Sequence, residues 1–211
     1  MNGDNISLII LLFSLLFAVS GLAVRVIRLW TRPHASDPSP PKASARQGVV
    51  YAFTVGMLPW KKESARLHRL VYVRGVLLHL GIFTFVILLF VSLFADIRHI
   101  GGAVAFSPTL GLGFLAGLFA LAARFVDRNL HAISRLDDYI SLVLVMLVLL
   151  AGFAFVLGVV SRTVFWGVVS AMCLYLPWSK VPHVAYFFFS RTVFGTMFGR
   201  RGVLPVPKKI A

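Results

Sequence analysis

Two of the six histidines in this chain lie where an imidazole has a chemical use. His79 is enclosed in the apolar run 77–81, and His183 closes the run 176–183, which contains two prolines, a tryptophan and a lysine. A neutral imidazole is a common ligand for transition metals, and two of them can hold an iron from opposite sides. For the other four histidines a solvated position in a connecting loop is the better explanation: His34, His68, His99 and His131.

The composition predicts that lipid surrounds these residues. The chain has 211 residues, of which 59% are hydrophobic, and its mean hydropathy is +0.89, which is too apolar for a soluble domain with a polar surface. A helix needs about 20 apolar residues to cross a hydrocarbon core of about 30 Å. Such runs occur at residues 6–24, 75–95, 103–123, 139–161 and 163–189. The sequence therefore predicts an all-α integral membrane protein, a bundle of five transmembrane helices that forms a single membrane domain over residues 1–211.

The basic residues predict the orientation of this bundle, because loops rich in Lys and Arg stay on the cytoplasmic side. Nineteen of the 21 Lys and Arg residues fall within 25–74, 124–135 and 180–209, whereas only Arg98 and Arg162 lie in the opposite connections. The N-terminus is thus predicted outside and the C-terminus in the cytoplasm. The formal net charge of +14 follows from this topology, with membrane lipid as a partner. Nucleic-acid binding explains it poorly, because the basic residues flank apolar spans.

The longest inner connection, residues 31–70, is predicted to be a cytoplasmic linker and an interfacial segment. Four prolines within 31–42 predict an extended stretch. Residues 48–60 are apolar and aromatic but too short to cross the membrane, and Lys61 and Lys62 follow them. This pattern is typical of a helix in the headgroup region or of a docking surface for a partner. The inner loop 124–135 is the second surface on which we expect a cytoplasmic partner to dock.

The two singled-out histidines are predicted at similar depths. His79 follows Arg74 by five residues, about 7.5 Å at 1.5 Å per residue, and His183 follows Lys180 by three. The second span runs outward and the fifth runs inward, so both imidazoles fall in the inner leaflet. A pair placed in this way could clamp one haem b. The alternative is a hydrogen bond between two helices, worth about 1 kcal/mol.

The neighbours of the histidines suit a flat, acidic cofactor. Gly75 lies one turn before His79 on the same helix face, and Gly81 is close, so a macrocycle could approach the backbone. Arg74 and Lys180 lie on the inner side, where haem propionates would need cationic partners. The single cysteine, Cys173, excludes a cysteine set for zinc or an iron–sulfur cluster. The predicted cofactor-binding residues are therefore His79, His183, Gly75, Arg74 and Lys180, with the two histidines as axial ligands.

Three segments carry a resemblance to a known family. They are residues 78–83 in the second span, residues 176–183 with the form Pro-aromatic-Ser-basic-x-x-His, and Pro59-Trp60-Lys61-Lys62-Glu63 before the second span. With the five-span, N-out layout, they resemble the gamma (cytochrome b) subunits of respiratory nitrate reductases and their relatives in heterodisulfide-reductase-like and sulfate-reducer transmembrane redox complexes. Within that branch, the short length is similar to the cytochrome b subunit of the high-molecular-weight cytochrome complex.

The resemblance implies a role in anaerobic respiration, in a bacterial or archaeal cytoplasmic membrane. The chain would be an electron-transfer subunit of an oxidoreductase complex rather than a stand-alone enzyme. One haem b would relay electrons between the quinone pool, menaquinone included, and a cytoplasmic iron–sulfur subunit of heterodisulfide-reductase-like type. Other membrane and periplasmic redox subunits are further partners of such complexes, and a quinone bound near the inner haem is compatible with the basic residues there.

The chain departs from the nitrate reductase pattern at the second haem. That family has two haems, and the second ligand pair would fall ten residues after His79 and eighteen before His183. Those positions hold Leu89 and Phe165, neither of which can ligate iron. One haem b is therefore predicted, not two.

Two other functions compete with this interpretation. The first is a haem-free membrane anchor that docks a cytoplasmic electron-transfer protein through its basic loops. Bound haem b would distinguish the cytochrome from this anchor. The second is a small transporter or channel component. It is disfavoured because spans 103–123 and 139–161 contain no charged residue that would mark a pathway.

Overall fold

The structure, a computed structural model, describes residues 3–32, 38–61, 65, 67–95, 102–179 and 183–205. Within these residues the protein is all-α and has no strand. Short 3₁₀ turns lie at Val55–Met57, Pro59–Lys61 and Leu176–Trp178. The α-helices are α1 (Gly3–Thr31), α2 (Ala45–Phe53), α3 (Arg69–Phe94), α4 (Gly102–Val126), α5 (Arg128–Ile133), α6 (Leu136–Val156), α7 (Arg162–Tyr175) and α8 (His183–Arg200).

Four of these helices are long and apolar enough to cross a membrane: α1, α3, the stretch Ala103–Val126 of α4, and α6. They coincide with the first four predicted spans and are typical of a multi-pass membrane protein. Helices α1, α3 and α4 are longer than their apolar runs, since a helix with satisfied backbone hydrogen bonds can continue into the headgroup region. Helix α6 has 21 residues and ends at Val156, before the end of the run 139–161. The orientation of the spans stays a prediction.

The fifth predicted span, 163–189, has a different form from the one expected. Helix α7 ends at Tyr175, a 3₁₀ turn follows, and Ser179 is extended with φ −78° and ψ 179°. Pro177 explains the ending, because proline lacks a backbone N–H and its ring clashes with the carbonyl four residues earlier in an α-helix. A second helix, α8, then begins at His183. The expectation of one continuous helix over 163–189 is corrected accordingly, and a fifth crossing by α7 stays a prediction.

The chain divides into two compact units, where the sequence predicts a single membrane domain. Unit 1 comprises Met1–Gly21 and Leu70–Val181, and unit 2 comprises Leu22–Arg69 and Pro182–Ala211. Unit 1 thus contains most of the apolar helices. Unit 2 combines the C-terminal end of α1 with α2 and α8.

The core of unit 1 is rich in aromatic side chains and contains a buried hydrogen bond between two side chains. The rings of Phe155 and Phe165 stack with centroids 4.8 Å apart, and the Trp166 indole N–H donates a buried hydrogen bond of 3.1 Å to Ser92 Oγ. Helices α3 and α4 cross at Gly81, where an added Cβ would lie 2.8 Å from the Cα of Gly113. Small residues of this kind allow two helix backbones to approach closely in membranes.

Unit 2 is held together by a second glycine crossing, between α2 and α8. A Cβ on Gly48 would lie 2.1 Å from the Gly195 carbonyl oxygen and 2.5 Å from the Cα of Gly199. Gly195 and Gly199 form a small-xxx-small motif on α8. Helix α8 then ends in a left-handed Gly202 with φ +66°, and the Val203 N–H donates back to the Phe198 carbonyl. This is the Schellman arrangement, which satisfies carbonyls at the helix end.

Candidate functional site

His79 lies on the exposed side of α3. The buried residues of this helix are Gly81, Phe85, Leu88 and Ser92, which follow one another at intervals of three or four. His79 and Phe83 lie on the opposite side and are exposed, Phe83 by 62%. His79 is ten residues from Arg69, about 15 Å along the helix axis, so it lies well inside a membrane-crossing helix. The imidazole therefore lies on the side of α3 that faces away from the core of unit 1.

A backbone hydrogen bond determines which nitrogen of the His79 ring carries a hydrogen. Its Nδ1 lies 2.7 Å from the carbonyl oxygen of Gly75. A carbonyl can only accept, so Nδ1 carries the hydrogen and donates, and in the neutral ring the lone pair belongs to Nε2. Metal-binding histidines are oriented in this way, with one ring N–H donated to a carbonyl or carboxylate and the other nitrogen directed at the metal.

Gly75 supports a ligand role for His79 in a second way. An added Cβ at Gly75 would find nothing within 4 Å, so there is open space one turn from the imidazole on the same face. The prediction that a flat group could approach here fits this geometry. The same prediction is wrong for Gly81, because the close approach of α4 at Gly113 occupies that position. Gly81 serves helix packing.

The predicted cationic partners have different positions. The Arg74 guanidinium donates a hydrogen bond of 3.4 Å to the Phe119 carbonyl of α4. Since residues five apart on a helix are rotated by about 140°, Arg74 and His79 project from different sides of α3. This hydrogen bond joins two helices. The pairing of Arg74 with a haem propionate stays a prediction. Lys180 lies outside the described residues.

His183 is the first residue of α8, and its side chain is exposed. It belongs to unit 2, whereas His79 belongs to unit 1. The predicted pairing of the two imidazoles on one iron therefore rests on the sequence and stays a prediction.

Of the remaining histidines the structure describes His68 and His131, and neither has a comparable setting. His131 Nδ1 lies 3.2 Å from the Tyr139 hydroxyl, which itself donates to the Arg124 carbonyl at 3.4 Å, so this ring belongs to a loop contact. His68 is exposed just before α3, and both His34 and His99 lie outside the described residues. In the part of the chain that the structure describes, no three His, Cys, Asp or Glu side chains are grouped to hold a metal ion. A haem with two histidine ligands needs no such group.

The two positions at which a second haem would need ligands belong to the core of unit 1. Phe165 is 0% exposed and stacks on Phe155, while Leu89 is partly buried against the same cluster. These side chains provide packing. The absence of a second haem stays a prediction.

The positive charge is concentrated in unit 2. Fourteen of the 21 Lys and Arg residues and two of the seven Asp and Glu residues fall in its ranges, so unit 2 carries a formal charge of +12 out of +14. Its two acidic residues, Asp37 and Glu63, lie outside the described residues. Every charged side chain in the described part of unit 2 is therefore basic, as the charge count of the inner loops partly predicted.

Sequence reasoning missed a carboxylate that connects two helices in unit 1. The Tyr175 hydroxyl at the end of α7 donates to the Asp137 carboxylate in the first turn of α6. The neighbouring Asp138 accepts from the Arg135 N–H at 2.8 Å and caps the helix. Two consecutive acidic residues before an apolar run were the available signal, since carboxylates stabilise helix N-termini. Capping of α6 requires only one of these two carboxylates.

Comparison of the chain with protein-family models, with characterised proteins and with solved structures finds no match. The family resemblance and the activity that it implies are therefore carried forward as a proposal.

Proposed function

We propose that this chain is a membrane cytochrome b subunit of a respiratory oxidoreductase complex. It would relay electrons through one haem b, ligated by His79 and His183, between the (mena)quinone pool and a cytoplasmic iron–sulfur subunit. The observation that carries the proposal is the setting of His79: an exposed imidazole on an apolar helix, held at Nδ1 by the Gly75 carbonyl, beside open space at Gly75. When bound, the haem supplies one-electron chemistry that no side chain of the protein provides.

The residues around His79 position the ligand and exclude water. The hydrogen bond to Gly75 holds the ring in one orientation and leaves Nε2 as the atom that would bind iron. The Phe83 ring lies 6.5 Å from the imidazole one turn further along α3. It extends the apolar surface against which a porphyrin would lie. A helix is also a rigid base for a ligand, because all of its backbone groups are satisfied internally.

The second ligand is proposed from the sequence. His183 is the histidine that the span pattern assigns to the inner leaflet, and its exposure at the start of α8 is compatible with ligation. Arg74 and Lys180 remain the proposed partners of the propionates, and a bound quinone remains part of the proposal.

Haem quantification on the purified full chain tests this function. The pyridine hemochrome assay should give one haem b per polypeptide. His79→Ala and His183→Ala should each abolish the low-spin spectrum while the helical content stays unchanged, because apolar helices insert independently of a cofactor. His131→Ala is the matched control and should keep the spectrum. A bis-histidine spectrum retained in His79→Ala would show the ligand assignment to be wrong, and a ratio of two haems would exclude the single site.

A haem-free anchor is the second candidate, and the charge of unit 2 favours it as well. A surface with a charge of +12 would steer an acidic cytoplasmic partner whether or not haem is bound. The buried residues of α2 are Gly48 and Ala52, so docking on the segment 48–60 would use its other side, where Val50 is 55% and Trp60 is 63% exposed. Absence of haem from protein isolated from its native membrane, together with a retained iron–sulfur partner, would favour the anchor.

A further inference from the structure

Unit 2 contains a basic pocket that the proposed haem site does not use. Its volume is about 460 Å³, within the range of small-ligand sites. One wall is the C-terminal end of α1, and the other is the first half of α8. The lining residues are Arg25, Arg28, Leu29, Arg32, Tyr186, Phe189 and Ser190.

The residue spacing shows that each wall presents one helix face to the pocket. Arg25, Arg28 and Arg32 are separated by three and four residues, the interval that places side chains on the same side of a helix. Tyr186 and Ser190 are four apart on α8 and add two hydroxyl groups. The three guanidinium groups and the Tyr186 hydroxyl are donors suited to the oxygen atoms of a phosphate, whereas the Ser190 hydroxyl already donates to the Phe187 carbonyl at 3.0 Å.

Aromatic packing joins the two walls. The Trp30 and Phe189 rings meet edge to face with centroids 5.1 Å apart. Trp30 is 52% exposed, as is common for tryptophans at the boundary between lipid tails and water. Leu29 and Phe189 give the pocket an apolar side next to its guanidinium groups.

The length of α1 places the pocket at the level of the lipid headgroups. The helix has 29 residues, and its apolar run from Ile6 to Val24 is about 28.5 Å long, close to the thickness of a hydrocarbon core of about 30 Å. Arg25 and the residues after it therefore extend into the headgroup region. A phosphate at this depth is most readily supplied by a phospholipid, whose acyl chains could follow the apolar side of the pocket.

We propose that this pocket binds the phosphate of an anionic phospholipid. Arg28 and Arg32 donate to the phosphate oxygens, Arg25 adds positive charge one turn earlier on α1, and the Tyr186 hydroxyl gives a further hydrogen bond. The net positive charge of unit 2 selects anionic over zwitterionic lipid. This inference is independent of the proposed haem, because no residue of the pocket belongs to the haem site.

Native mass spectrometry of the delipidated full chain tests the proposal with two lipids, phosphatidylglycerol and phosphatidylcholine. The wild-type chain should retain phosphatidylglycerol at least about tenfold better, and the double variant Arg28→Gln/Arg32→Gln should lose this preference, since each tenfold corresponds to about 1.4 kcal/mol. The control Lys42→Gln/Arg46→Gln removes the same charge from exposed positions of unit 2 outside the pocket. This control should keep the preference for phosphatidylglycerol. Equal retention of both lipids by the wild type, or an equal loss in the control, overturns the proposal.

Two further measurements separate the alternatives. Inorganic phosphate, added at the same phosphate concentration, should not displace phosphatidylglycerol; displacement would assign the pocket to free phosphate and overturn the lipid assignment. Tyr186→Phe removes one hydroxyl without changing charge or shape, and should weaken phosphatidylglycerol retention by about threefold. If the double arginine variant fails to fold, this variant decides the matter, and unchanged retention counts against the site.

Discussion

Replacing Gly75 with leucine should affect helix stability and haem binding in opposite directions. Glycine in a helix interior costs about 0.8–1 kcal/mol relative to alanine, and leucine is nearly as favourable as alanine. Because nothing lies within 4 Å of the added Cβ, the new side chain starts in open space. The free energy of unfolding of the haem-free chain should therefore rise by up to about 1 kcal/mol.

Haem binding should fall in the same variant. The Gly75 carbonyl still accepts from His79 Nδ1, so the ligand keeps its orientation. The leucine side chain, however, fills the space one turn from the imidazole, and overpacking of this kind costs about 1–3 kcal/mol. This corresponds to haem binding that is about 5-fold to 150-fold weaker, since each 1.4 kcal/mol is a factor of ten.

Haem titration of the apo-protein, followed by the Soret band, measures the haem affinity, and denaturant unfolding in detergent measures the free energy of unfolding. Gly167→Leu on α7 is the matched control, because that glycine is exposed and an added Cβ also finds nothing within 4 Å. It should gain stability and keep normal haem affinity. Wild-type haem affinity in Gly75→Leu would refute the idea that a macrocycle uses the space beside His79, whatever the result for His79→Ala.

Two further predictions concern packing. Gly48→Ala places a methyl group 2.1 Å from the Gly195 carbonyl oxygen, so α2 must move away from α8, at a cost of about 2–3 kcal/mol. Hydrogen exchange in α2 should become faster in this variant but not in Gly167→Ala, and unchanged protection would contradict the crossing. Ser92→Ala leaves the buried Trp166 indole N–H without its partner at 3.1 Å and should destabilise unit 1 by about 1–3 kcal/mol in thermal unfolding. A melting temperature equal to that of the wild type would show that this hydrogen bond contributes little.

The sequence alone determined the membrane class and four of the apolar helices. Each of these follows from a local property, because a run of about 20 apolar residues can satisfy its backbone in lipid only as a helix. The run 75–95 therefore became α3, and the run 139–161 became α6 apart from its last residues. Capping signals were also local, as at Asp127, whose carboxylate accepts from the N–H of Asn129 and Leu130 at the start of α5.

The sequence of the fifth span contains the residues that end its helix, but the prediction of a continuous helix did not account for them. Pro177 and Pro182 stand within the predicted helix 163–189, and a proline is sufficient to end an α-helix in water or in lipid when no neighbour replaces the lost hydrogen bond. The apolar composition of the run outweighed this signal in the prediction. Helix α8 consequently begins at His183.

Only the tertiary structure decided what the glycines and arginines do. Gly75 and Gly81 occur in the same apolar run, yet Gly81 meets Gly113 of another helix and Gly75 meets open space. Nothing in the neighbouring residues distinguishes the two, because the difference lies in which distant segment passes alongside. The arginines at the end of α1 likewise read as a topological signal in the sequence, and they line a pocket because α8, more than 150 residues later, packs beside Trp30. A side chain's type is set locally, whereas its surroundings are set by contacts between segments that are far apart in the chain.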